Sequence, residues 1–276
     1  MRERSLVRSS LHAHALTLQV VDDLGIAREA ASAAAQVIRD HADRPRHAEF
    51  KGAVDPVTEA DRAAEQVIVE IIRSHRPDDG ILAEEGSAAE SKTGRRWVID
   101  PLDGTVNFLH GIPHVAVSIA LEETTGVACG VVHDVFRDEE FAALRGGGAF
   151  LSGHKIAPSG TADLGDAVIS TGFPYDRREK AAEYGRHVGA VLARVRGIRR
   201  MGAAAIDLAW VACGRVDGHW EVKLSPWDVA AGFLLIREAG GTVTAPDGGE
   251  PSHAALVAAT PAIHEPLRAL VAQLLA

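Results

Sequence analysis

"WVIDPLDGTVNF", residues 97–108, carries two acids and a glycine inside an otherwise apolar setting. An Asp-Gly pair between apolar residues is a strong hairpin signal, and Asp103 with Gly104 alone would simply turn the chain between two strands. That reading leaves a second acid at Asp100, the stiff Pro101 and the hydroxyl of Thr105 unexplained. If the stretch is a site, Pro101 stiffens a turn so that Asp100 and Asp103 face one point. Gly104 then lets the backbone approach a ligand, and the amides of Gly104 and Thr105, opening a short helix, hold an anion.

The surrounding pattern supplies the scaffold. Upstream, periodicity predicts an alanine-rich helix over 22–41 and a second helix over 58–75, with Val67, Ile68, Ile71 and Ile72 on its apolar side. A short strand, 81–83, delivers Glu84 and Glu85 at its carboxyl end, and another, 97–99, ends at Asp100. Downstream, "VAVSIAL", "GVACGVVHDVF" and "EEFAALRGGGAFLSG" read as successive strands with glycine turns, hence an antiparallel sheet. From Asp166 strands alternate with helices predicted over 177–196, 203–214 and 227–239, with a last helix from Pro261; this half is α/β. No repeat or long linker intervenes, so the chain is expected to form one unit over 1–276, its halves meeting near Ser159 as 1–158 and 159–276.

With 276 residues, 46% of them hydrophobic, the chain can bury a substantial core. A net charge of -9 repels nucleic acid and anionic lipid, which leaves small molecules as the expected partners. Cys129 and Cys213 match neither a disulfide framework nor a zinc spacing and suit a reducing compartment. The basic start, "MRERSLVRSS", has only short, interrupted apolar stretches, and no run is long enough to span a bilayer, so a cytoplasmic protein is expected.

Asp61, Glu84, Asp100, Asp103 and Asp228 all fall at element ends, where side chains can converge. Two carboxylates about 4 Å apart repel by roughly 4 kcal/mol at an effective dielectric near 20, so such a cluster needs cations. With no cysteine nearby and no histidine at ligand spacing, the natural ion is magnesium, which takes carboxylate and phosphate oxygens. Phosphate chemistry follows.

"WVIDPLDGTVNFLHGIPHVAVSIAL" resembles the metal-site signature of the inositol monophosphatase family. "KGAVDPVTEAD", "LAEEG" and "SPWDVAAGFLLIREAGG" resemble three further family motifs in the same order, so the likeness spans residues 51–241. The resemblance implies a layered αβαβα sandwich of the sugar-phosphatase type, with the antiparallel sheet in the N-terminal half. It implies that Glu84, Asp100 and the Leu102 carbonyl hold one magnesium, that Asp100, Asp103 and Asp228 hold a second, and that a third binds more weakly near Glu84. Asp61 and Thr105 would position the water that attacks phosphorus directly. Asp103, Gly104, Thr105, Gly202, Ala203, Ala204, Glu221 and Asp228 would meet the substrate, Glu221 accepting hydrogen bonds from its hydroxyls. A homodimer and sensitivity to lithium are implied as well.

Several of these residues also have plainer explanations. Asp61, three residues after Thr58, suits a capping box; Asp228 suits a helix N-cap. Glu85 is expected to point away from Glu84 into solvent, and Lys51 to be either a surface or a site lysine. Ala203 departs from the common family pattern, which has Ser or Thr there. The expected activity is magnesium-dependent hydrolysis of inositol monophosphate. The alternatives are the same chemistry on histidinol phosphate, fructose 1,6-bisphosphate or 3'-phosphoadenosine 5'-phosphate, or a regulatory protein of this fold with little catalysis.

Overall fold

The computed structural model describes the backbone of residues 2–44, 48–50 and 56–275, and of these the side chains of 22–44, 48–49 and 56–275. Lys51 lies outside the described residues. Helix α1 (Arg2–Ala42) begins at Arg2 rather than at the alanine-rich segment. From residue 22 on, Ile26, Ala27, Ala30, Ala31, Ala34, Ala35 and Ile38 are buried, a spacing of three and four that faces one side of a helix. An antiparallel pair, β1 (Ala48–Phe50) and β2 (Pro56–Thr58), precedes α2 (Glu59–His75).

The larger sheet comprises β3 (Gly80–Ala83), β4 (Ala88–Ala89), β5 (Arg96–Asp103), β6 (Ala116–Glu123), β7 (Gly126–Asp134), β8 (Glu139–Leu144), β9 (Gly148–Leu151) and β10 (His154–Lys155), with α3 (Thr105–His110) between β5 and β6. Its order is β10-β9-β8-β7-β6-β5-β3-β4, antiparallel throughout except for β3 against β5. Both faces are buried. Trp97, Ile99, Val117, Ile119 and Leu121 pack toward α1 and α2, while Val98, Ala116 and Ala120 pack the other way, the period of two expected of strands.

The smaller sheet runs β12 (Gly197–Arg199), β11 (Val168–Thr171), β13 (Gly218–Val222), β15 (Ala255–Ala259), β14 (Thr242–Thr244). Strand β11 is parallel to β12 and β13, and β15 antiparallel to β13 and β14, so the α/β half carries a mixed sheet. The helix expected over 177–196 is shorter. A turn of 3-10 helix at Tyr175–Arg178 precedes α4 (Ala181–Leu192), because the carboxylate of Asp176 is held by the Tyr184 hydroxyl at 2.7 Å and by Lys223, and its carbonyl takes the amides of Glu179 and Lys180.

Helices α5 (Ala204–Ala212) and α6 (Pro226–Ala239) lie between the two sheets, and α4 and α7 (Pro261–Leu275) cover the far face of the smaller one. The layers are therefore α1α2, larger sheet, α5α6, smaller sheet, α4α7. Gly130 lets α6 lie close against the sheet, since a Cβ there would stand 3.0 Å from Ala231 Cα. Cys129 and Cys213 are both free thiols. Among the described residues, no helix is long and apolar enough to cross a membrane.

Candidate active site

Strand β5 does not turn at the Asp-Gly pair. It runs on through Pro101, and pairing with β6 slips between Asp100, opposite Ser118, and Asp103, opposite Ala116. The slip is a β-bulge, with one extra residue on β5, so Asp100 and Asp103 project from an irregular strand end instead of a stiffened turn. Pro101 fits because a bulge frees its position from the hydrogen-bond ladder. The Leu102 amide donates to Asp100 Oδ1 at 3.0 Å, fixing the first acid, and the Ala205 amide donates to Asp103 Oδ2 at 2.7 Å, tying the second to the start of α5.

Gly104 follows with φ +97° and caps α3; a Cβ there would meet the His114 carbonyl at 2.8 Å, so glycine is required both for the conformation and for the space. Thr105 Oγ1 lies 3.0 Å from Asp61 Oδ1 and 3.3 Å from the Leu102 carbonyl, two acceptors competing for one hydroxyl proton. Asp61 is also the N3 acid of a capping box, its Oδ2 accepting the Thr58 amide at 2.9 Å, so the capping and site positions coincide. Asp228 corrects the sequence reading. The N-cap of α6 is Ser225, and Asp228 is the N3 acid whose Oδ2 accepts the Ser225 amide at 2.7 Å.

Glu84 follows β3, and its amide donates to Ile99 O at 3.2 Å. The turn beyond it is held by Glu65 of α2, whose carboxylate accepts the amides of Glu85 at 2.7 Å and Ser87 at 2.9 Å. Sequence reasoning missed Glu65; its signal was the four-residue spacing from Asp61, which places both acids on one side of α2. Glu85 is half-buried, near the Arg62 guanidinium, rather than free in solvent. Asn107 was also missed. Its amide nitrogen donates to the carbonyls of His114 at 2.8 Å and Met201 at 2.9 Å, joining α3 to the segment that carries Gly202, Ala203 and Ala204. Ala203 is the N-cap of α5 and offers no side-chain cap.

Burial raises the Asp100 carboxyl well above the usual carboxylate range, and the charges of Glu84, Asp103 and Asp228 push the same way; Asp100 also shares a hydrogen bond with Glu84. Burial likewise raises Asp103 and Asp228, with Glu221 adding to both. Asp61 is raised by burial against the opposing pull of its Thr58 and Thr105 hydrogen bonds. Glu84, Asp100, Asp103, Asp228 and Glu221 thus share one electrostatic field, although no group of three or more His, Cys, Asp or Glu side chains among the described residues forms a ready-made metal-holding cluster. The donor set still fits a hard cation. It is all oxygen, Asp100 and Asp103 within it are buried, and its members destabilise one another's charge.

A stability prediction follows. Asp103, Asp207 and Asp228 are each pushed up to about 8, burial first, while unfolded aspartates titrate near 3.9. Between pH 9 and 7 the folded chain takes up protons that the unfolded chain does not, so stability rises as pH falls. In chelator, the thermal midpoint should be higher at pH 7 than at pH 9. A midpoint that falls over that interval would contradict the burial of these acids.

Layers of this order are those of the sugar-phosphatase sandwich that the sequence resemblance implies. Residues 21–276 match the model of the inositol monophosphatase family. The chain is 49% identical over 201 residues to the inositol-1-monophosphatase of Rhizobium meliloti (strain 1021), covering 72% of this chain and 76% of the relative. It is 44% identical over 229 residues to the Nus factor SuhB of Escherichia coli (strain K12), covering 82% and 86%. The inositol monophosphatase of Anabaena (Nostoc) sp. PCC 7120 superposes with a TM-score of 0.83 at 40% identity, over 92% of this chain and 97% of that one. The chain belongs to the inositol monophosphatase family, and it is a phosphatase enzyme.

Proposed function

We propose that the chain is a magnesium-dependent phosphomonoesterase that hydrolyses inositol monophosphate to inositol and phosphate, acting as a cytoplasmic homodimer. The observation that carries this is the common field of Glu84 after β3, Asp100 and Asp103 on β5 and Asp228 on α6, acids that raise one another's affinity for positive charge. Glu84, Asp100, Asp103, Asp228 and the Leu102 carbonyl would hold two to three ions, with Asp100 shared. Magnesium bound there would polarise the phosphoryl oxygens and acidify the attacking water.

The remaining steps fall to the chain itself. The Asp61 carboxylate, fixed by the Thr58 amide, orients the Thr105 hydroxyl, and the two together align a water for in-line attack on phosphorus. Amides of Gly104 and Thr105 face the phosphate. Asp103, Gly202, Ala203, Ala204, Glu221 and Asp228 surround the alcohol half, and no protein nucleophile is needed. The two free thiols support a reducing compartment. The 44% identity to a protein named Nus factor SuhB favours, as a second reading, a regulatory role beside catalysis.

The experiment is Glu221→Gln. A polyol hydroxyl that loses a carboxylate acceptor costs about 1 to 3 kcal/mol, so kcat/KM for inositol 1-phosphate should fall about tenfold or more relative to p-nitrophenyl phosphate, which lacks those hydroxyls. Equal losses on both substrates, or a wild-type preference for histidinol phosphate, would rule against inositol phosphate.

A further inference from the structure

The direction of the Glu221 carboxylate is set by neighbours outside its own backbone. His219 and Glu221 stand two residues apart on β13 and so share a face. Ser170 of β11 is directly across from His219, and its Oγ lies 2.8 Å from His219 Nδ1. The ring is fully buried, and its Nε2 has no hydrogen-bond partner although Glu221 Oε2 is 3.3 Å away. On the other side of the carboxylate is Gly172, just past β11. A Cβ at that position would stand 1.9 Å from Glu221 Oε1, so only glycine leaves the room.

We propose that His219 is a positioning residue for Glu221, holding its carboxylate over Gly172 so that substrate hydroxyls meet a preset acceptor. This rests on the substrate reading above and deepens it. An Nε2 lone pair aimed at a carboxylate oxygen would be repelled, so the ring carries its proton on Nε2 and its Nδ1 accepts from Ser170. The Ser170 hydroxyl has one proton, and 2.8 Å to Nδ1 is the better contact than 3.4 Å to the Gly218 carbonyl. A small rotation of either side chain aligns Nε2–H with Glu221, a charge-assisted bond that removes the freedom an exposed glutamate would keep. Asp207 Oδ2, 4.0 Å from Nδ1, adds a second acid behind the ring.

The test is the ratio of kcat/KM for inositol 1-phosphate to that for p-nitrophenyl phosphate in wild type, His219→Phe, Glu221→Gln and the double variant, all with magnesium. Phenylalanine fills the ring's space without a donor. His219→Phe should lower the ratio about tenfold in the wild-type background and less than about twofold in the Glu221→Gln background, where no carboxylate remains to position. A full tenfold fall in both backgrounds, or an unchanged ratio in His219→Phe while Glu221→Gln lowers it, overturns the proposal alone. A ratio untouched by Glu221→Gln overturns the substrate reading and the proposal with it. If His219→Phe loses its cooperative thermal transition, Ser170→Ala keeps the ring and removes its Nδ1 partner. A fall of about threefold in the ratio then supports the assignment, and no change overturns it.

Discussion

Asp100→Asn is expected to lower kcat with magnesium on the order of a thousandfold or more, while in chelator the thermal midpoint holds or rises. Asparagine is nearly isosteric, and its side-chain oxygen can still accept the Leu102 amide, so the bulge of β5 keeps its shape. What disappears is the charge. Asp100 is 1% exposed and surrounded by Glu84, Asp103 and Asp228, which makes its ionised form costly to the fold and valuable only to a bound cation. A neutral amide relieves that repulsion. Activity and stability should therefore move in opposite directions, a pattern that damage to packing does not produce. Glu85→Gln is the control: its carboxylate lies near Arg62, and it should cost less than about tenfold. If the two variants lose comparable activity, the proposed choice of acids is wrong.

Removal of divalent metal is expected to have an equally large effect. Exhaustive chelation should reduce phosphate release to background, and added magnesium should restore it, because every proposed ligand is an oxygen and none is sulfur or imidazole. Calcium should restore little, since it favours more ligands at longer distance. Loading magnesium should also flatten the pH dependence of the thermal midpoint between 7 and 9, because ionised carboxylates that hold a cation no longer gain from protonation. Turnover that survives chelation would exclude the metal mechanism outright.

The motifs in "WVIDPLDGTVNF", "LAEEG" and "SPWDVAAG" were legible because each is a local string in which an acid sits at the end of one element. Helix α2 and its capping box were legible for a similar reason: Thr58 and Asp61 interact through backbone only three residues apart. The bulge was not. Whether an Asp-Gly pair turns a chain or interrupts a strand depends on β6 lying alongside, and Ala116 and Ser118 enter the argument only through that pairing. The rank of Asp228, by contrast, was as legible as that of Asp61: Ser225 stands three residues before it, the spacing of a second capping box.

The sequence by itself determined the family motifs and the division into an antiparallel and an α/β half, because these depend on residue type and on spacings shorter than one helix. Only the tertiary structure decided that Glu65 holds the turn after Glu84, that Asn107 joins α3 to the segment before α5, and that His219, Ser170 and Gly172 surround Glu221. Those contacts cross 20, 94 and 49 residues of chain. A local periodicity says which face a side chain takes, but which strand stands opposite is settled when the whole sheet closes and its loop entropy has been overcome.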